Sequence, residues 1–313
     1  MKRALRIACA ALLLVLPGTL AWAQTGDEIA VATPPIDSSG EVFYAADMGF
    51  FAKAGLNVKI VPMNNAGAIA PAVVSGTVAI GGLTVPAVAL AREKNVPITI
   101  VAPGSVYSTA APTSGIVVLK TSALRKAADL NGKTIGTRDI SNMSYYGSNE
   151  WIDKNGGDSK SIKWVEINDN VAVAAMQQGR IDAASLSEPG LDDAVHGAAR
   201  MLGPVYDAVG DKFLIAVFFT TEAYANAHPD VMRKFAAAII EAGKWANKNH
   251  AASAKILEKY AGIPIPPNYT RVTYAERLRA ADAQPVLDML ATYGVIKPNP
   301  RAADLFSPTV YAP

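Results

Sequence analysis

Apolar residues along this chain recur with two different periods. Short runs rich in β-branched residues, at 29–33, 58–61, 79–80 and 98–102, are predicted strands. Between them, apolar side chains return at helical spacing. Pro34-Pro35 ends the first strand, and a helix follows with Ser38 or Ser39 as its N-cap and Phe43, Ala46 and Phe50 along one face. Gly55 closes it, Gly76 closes a second helix over 67–74, and a third runs from about Thr84 to Lys94. Strands and helices in alternation imply parallel pairing with helical crossovers.

Residues 104–114, rich in Ser, Thr, Ala and Pro, read as a linker, after which the alternation starts again. Strands are predicted at 116–119, 133–137, 164–167 and 183–186, and helices at 141–155 and 171–178. An apolar run at 213–219 is a return strand, and from 221 onward the chain reads as almost wholly helical. The fold class is therefore α/β, with two lobes joined by two crossovers. Lobe one is expected at 24–113 and 220–313, and lobe two at 114–219. Ligands of open α/β sheets bind beyond the C-terminal strand ends, so two such edges facing one another make a cleft that a hinge can close.

The first 23 residues change the picture. Lys2, Arg3 and Arg6 precede an apolar run at about 7–20, and Ala21-Trp22-Ala23 is a small-x-small cleavage pattern before Gln24. This is the pattern of a secretory signal peptide, too short for a comfortable membrane span. Cys9, the sole cysteine, sits at the start of the apolar run, where it is no lipid-attachment site. A mature chain starting at Gln24 has no disulfide, no thiol chemistry and no cysteine-bound metal. The leader carries three of the 29 basic residues and none of the 27 acidic ones, leaving the remainder one charge negative. Nothing in that balance suggests a nucleic acid or an anionic membrane as partner.

Catalytic and metal motifs are missing. His196, His228 and His250 lie at predicted helix ends with no second ligand at metal-binding spacing. Gly132-Lys133-Thr134 imitates the tail of a phosphate loop, but Ala127 stands where that loop needs glycine, and the lysine precedes a strand rather than following one. No cofactor and no metal are expected, and the chain is expected not to be an enzyme.

Candidate ligand contacts lie where strands give way to helices, because the first turn of a helix presents unpaired N–H groups. Four such junctions are polar: Asp37-Ser38-Ser39, Leu83-Thr84, Ser141-Asn142-Met143-Ser144 and Asn168-Asp169-Asn170. Each hydroxyl or amide there is either a ligand contact or a plain N-cap. Arg138, just beyond a strand end, either forks onto a carboxylate or sulfonate or pairs with Asp139 or solvent. Tyr107 either stacks on a ligand or packs the hinge. Glu188 either accepts from a ligand's amine or caps the next helix.

Several stretches together carry a family resemblance. They are Tyr44-Ala45-Ala46-Asp47-Met48-Gly49-Phe50-Phe51-Ala52-Lys53-Ala54-Gly55-Leu56; Ser75-Gly76 with Ile80-Gly81; Ala128-Asp129-Leu130-Asn131-Gly132-Lys133-Thr134-Ile135-Gly136; and Gln178-Gly179-Arg180-Ile181-Asp182-Ala183-Ala184 leading to Glu188-Pro189. The chain resembles the ABC-transporter solute-binding proteins of the nitrate/sulfonate/taurine type, whose superfamily includes binders of thiamine-pyrimidine precursors. Ala79 departs from the pattern, which usually has an acidic residue there. The resemblance implies a type II periplasmic-binding-protein fold and a monomer that captures a small molecule in the periplasm for a membrane permease and its ATPase. A sulfonate, an aromatic or other carboxylate, or a pyrimidine-like compound fits. Alternatives are a periplasmic ligand sensor and an enzyme of the pyrimidine-synthesis kind on the same fold. The latter kind carries a cysteine cluster, which this chain lacks.

Overall fold

The computed structural model describes residues 28–262, 264–265 and 269–311; the expected leader lies outside them. Thirteen strands are present among these residues: β1 Ile29–Thr33, β2 Val58–Pro62, β3 Ile80–Thr84, β4 Ile98–Pro103, β5 Ser105–Ser108, β6 Ser114–Leu119, β7 Thr134–Thr137, β8 Lys163–Glu166, β9 Ala183–Ser187, β10 Ala199–Pro204, β11 Lys212–Leu214, β12 Ala216–Thr221 and β13 Thr273–Tyr274. They build two five-stranded sheets, β2-β1-β3-β12-β4 and β10-β6-β9-β7-β8, and a small third sheet, β11-β5-β13. Each large sheet is the heart of one α/β lobe.

The predicted parallel pairing holds for β1 with β2 and β3, and for β7 with β8 and β9. It fails where the chain returns between lobes: β12 runs antiparallel to β3 and β4, and β6 antiparallel to β9 and β10. The apolar run at 213–219 is not one strand. Residues 212–214 join the third sheet, and β12 enters the middle of the first, so 216–219 lie in the lobe-one sheet rather than with lobe two. Nor is 104–114 a plain linker. It contains β5, which pairs with β11 from the second crossover, so the two crossovers share one sheet.

The first lobe packs its sheet against the helices Glu41–Asp47 and Pro229–Ala246. Phe43, Tyr44, Phe51, Phe218 and Phe235 fill the layer between them, with Phe51 stacked on Phe235 at 5.5 Å. Burial on this scale is the main favourable term in the fold. The helix expected after Pro34-Pro35 is broken in two, Glu41–Asp47 and Phe50–Lys53, because Gly49 between them takes φ +73°. Its N-cap is Gly40; Ser38 and Ser39 belong to a preceding 3-10 turn, Asp37–Ser39. That turn sets both serines on the lobe's inner edge. Among the described residues no helix is long and apolar enough to cross a membrane.

Candidate functional site: the cleft between the lobes

Strand ends of the two lobes face each other across three adjoining cavities that share Ile36 and Arg138. The two larger ones measure about 440 and 460 Å³, the size of a small-molecule site. From lobe one come Asp37, Ser38 and Ser39 after β1, and Leu83 and Thr84 at the end of β3. Lobe two supplies Arg138, Ser141, Asn142, Met143 and Ser144 after β7, Asn170 in the helix Asp169–Gln177, and Glu188 after β9. All four polar junctions thus meet in one space.

Local chemistry separates the caps from the free groups. Asn142 is an N-cap: its Oδ1 accepts the N–H of Tyr145 at 3.0 Å, at the start of the helix Met143–Lys154. Thr84 heads the helix Val85–Glu93 yet its hydroxyl makes no capping bond, so capping does not explain it. The Ser141 hydroxyl donates to Asp139 at 2.6 Å. Ser144 lies 3.0 Å from both the Ser187 hydroxyl and the Tyr206 phenol, and Ser187 donates on to Ser114. Rotatable hydroxyls of this kind can donate or accept as a ligand requires.

Asp37 is committed elsewhere. Arg271 donates to both its carboxylate oxygens, from Nε at 3.0 Å and from Nη2 at 2.6 Å, and the Tyr274 phenol and the Val272 N–H also donate to it. With its acceptors filled, Asp37 shapes the cleft wall and anchors the segment around residue 272. Arg138 pairs with Asp169, not with neighbouring Asp139. Burial raises the Asp169 carboxyl above its ordinary value even though Arg138 pulls the other way.

Glu188 satisfies the helix-start reading and also stands in the cleft wall. Its Oε2 accepts the N–H of Asp192 at 3.1 Å and so caps the helix Gly190–His196, while the side chain lines two of the cavities. Burial pushes its carboxyl up to about 7, with the charges of Asp192, Asp193 and Asp37 adding to the rise and the Asp192 N–H opposing it.

Tyr107 is not in the cleft. It is fully buried in β5, its ring 5.2 Å from that of Phe213 and edge-on to Tyr206, and its hydroxyl donates to Asp207. Pairing of β5 with β11 turns it into the core between the two crossovers. The structure adds Thr113, Ser187 and Tyr206 to the lining. Ser187 sits at the same strand end that singled out Glu188, so the same rule reaches it. Tyr206 lies in a 3-10 turn, Val205–Ala208, and has no such signal.

An α/β molecule of two lobes with a polar cleft at their facing strand ends has the type II periplasmic-binding-protein fold. The chain belongs to the NMT1/THI5-like family, whose model matches residues 38–252. It is 28% identical over 202 residues to a taurine-binding periplasmic protein of Escherichia coli K12, a match covering 63% of this chain and 60% of that relative, so the chain spans less than two thirds of the relative's length. Among solved structures it superposes on the periplasmic aliphatic sulphonate binding protein SsuA of Escherichia coli with a TM-score of 0.74 at 16% identity, over 92% of this chain and 99% of that one. It also superposes on the desulfurization enzyme DSZB, with a TM-score of 0.65 at 14% identity, over 90% of this chain and 96% of that one. At such identities the likeness carries the fold, and function has to be argued from the cleft.

Proposed function

We propose that this chain is the solute-capturing component of an ABC-type importer, secreted to the periplasm after cleavage following Ala23. In this reading its lobes, divided at the crossovers near 104–113 and 205–215, close as a monomer on one small organic molecule. The molecule is held by helix N-termini and by Ser38, Ser39, Thr84, Ser141, Asn142, Ser144 and Asn170, with Leu83 and Met143 against its apolar body. A permease with its ATPase then receives the closed form.

The observation that carries this reading is the convergence of four polar junctions, two from each lobe, on one cleft. A ligand touching both lobes has differential affinity for the closed state, and about 5.5 kcal/mol moves a 1:99 balance to 99:1.

A thermal-shift screen of sulfonates, aromatic carboxylates, pyrimidines and small anions, followed by small-angle scattering, tests the proposal. A ligand at a hundred times its Kd stabilises by about 2.7 kcal/mol. The expected result is a stabilising organic compound that also compacts the protein. Stabilisation by nitrate alone, or by an organic compound that is chemically converted, would sink it.

A further inference from the structure

The charges of the cleft are lopsided. Arg138 is the only lysine or arginine among its described lining residues, and Asp169 already holds it. Asp37 is answered by Arg271, and Asp139 by the N–H and hydroxyl of Ser141. Glu188 has no cationic partner among the described residues. Its Oε2 takes the Asp192 N–H, and its Oε1 has no hydrogen-bond partner among the described residues. The 460 Å³ cavity beside it has an apolar side, made by Ile36, Pro189, Leu257, Ile265 and Tyr269, and a polar side that includes Asp169, Asn170 and Asp193. A half-buried carboxylate with a free oxygen, in a cavity with one apolar side, further acids and no unpaired cation among its described lining residues, is matched by a positive charge on an organic body.

We propose that the ligand carries a protonated nitrogen, an amine or an amidine, seated against the Glu188 carboxylate with its carbon body in that chamber. The inference rests on the capture reading and narrows its substrate class. Anions without such a group would add a like charge to a wall that already has an excess of it.

The charged groups around Glu188 are Asp192, paired with His196, and Asp193 on the helix that follows it, Asp37 across the cleft with Arg271 behind it, and Arg138 after β7 with Asp169 at the start of its helix. Burial is the main cause of the rise of the carboxyl to about 7, and the charges of Asp192, which His196 meets at 3.1 Å, of Asp193 and of Asp37 add to it. The sign of the pH dependence follows. A cationic ligand needs the ionised carboxylate, so its affinity rises up to tenfold per pH unit below that value and levels off above it. A ligand offering an acceptor to the protonated acid would show the opposite trend.

Calorimetry on the mature protein tests this with matched probes that differ only in an ammonium against a hydroxyl: benzylamine and benzyl alcohol, β-alanine and 3-hydroxypropionate, 4-(aminomethyl)benzoate and 4-(hydroxymethyl)benzoate. Benzoate and methanesulfonate serve as anions without nitrogen. The amine of at least one pair is expected to bind at least tenfold tighter than its alcohol, and more tightly at pH 8 than at pH 6. Glu188→Gln keeps an oxygen for the Asp192 N–H, and it is expected to weaken that amine about tenfold and abolish the pH trend. Preferential binding of the alcohols or anions, or an unchanged amine Kd in Glu188→Gln, overturns the inference and leaves the capture reading standing. If none of these probes and no compound of the wider screen binds, both fall.

Discussion

A carboxylate buried beneath a cleft persists only if its charge and its lone pairs are answered, and for Asp37 the answer comes from Arg271, 234 positions further on. Both side chains are nearly solvent-free, at 3% and 6% exposure. Desolvating the two ions offsets much of their attraction, so the pair adds little net stability, but removing one partner strands the other. Arg271→Met is therefore expected to cost about 3–5 kcal/mol, read by urea unfolding at pH 7. A loss below about 1 kcal/mol would mean that water reaches the carboxylate. Close by, Glu41 is fully buried, and burial lifts its carboxyl well above the ordinary value, against a bond from its own backbone and with Asp37 adding to the rise. A raised folded pKa means that the native state holds a proton the unfolded chain has lost. That contribution is complete below the unfolded value near 4.5 and disappears as pH rises through the raised one. Wild type should accordingly gain stability over Glu41→Gln when pH is lowered from 8 to 5. Parallel stability curves for the two proteins would show that Glu41 is ionised in the folded state.

At the scale of elements, β3 shows how closely a strand can be hemmed in. A Cβ on Gly81 would lie 2.7 Å from the Phe219 ring and 2.8 Å from Ile69, both in the packed layer against the sheet. Gly81→Ala is expected to cost about 1–3 kcal/mol by overpacking, measured as a fall in the denaturation midpoint with an unchanged slope. A neutral substitution would show that the strand and its helix can part slightly. The alternation of strands and helices was legible because each element carries its own period and its own stop, as Gly55 and Gly76 show. The four polar junctions were legible for the same local reason, since the rule that finds them uses only residues next to one another. What stayed hidden depends on distant residues. Nothing near 213–219 says that its first residues pair with β5 and its last with β3 and β4. A two-residue strand such as β13 has no period to detect, and Asp37 looked free because Arg271 is remote in sequence. Tyr107 was open between stacking on a ligand and packing the hinge because its segment read as linker, and pairing in β5 turns its ring into the core, as the second alternative had it.

The whole molecule turns on how the lobes are joined. Both crossovers contribute to the third sheet, where Tyr107 pairs with Phe213 and Val106 with both Leu214 and Thr273. Val106, Tyr107, Phe213 and Leu214 are all buried, and Tyr107 packs edge-on to Tyr206, whose phenol reaches the hydroxyls of the cleft floor. A hinge at this place would carry a paired, packed sheet between its crossovers, with residues 109–113 as its loop. Closure should therefore be a limited rotation in which the strand hydrogen bonds persist. Amide exchange separates the two possibilities, since opening of exposed loops costs little and opening of packed strands approaches the global free energy. The amides of 105–108 and 212–214 that bond within the third sheet are expected to exchange as slowly as those of β6 and β12, with or without a compound that stabilises the protein. Those at the start of the helix Met143–Lys154 should slow only when it binds. Fast exchange in the third sheet of the free protein, lost on binding, would instead mark a flexible hinge that orders as the cleft closes.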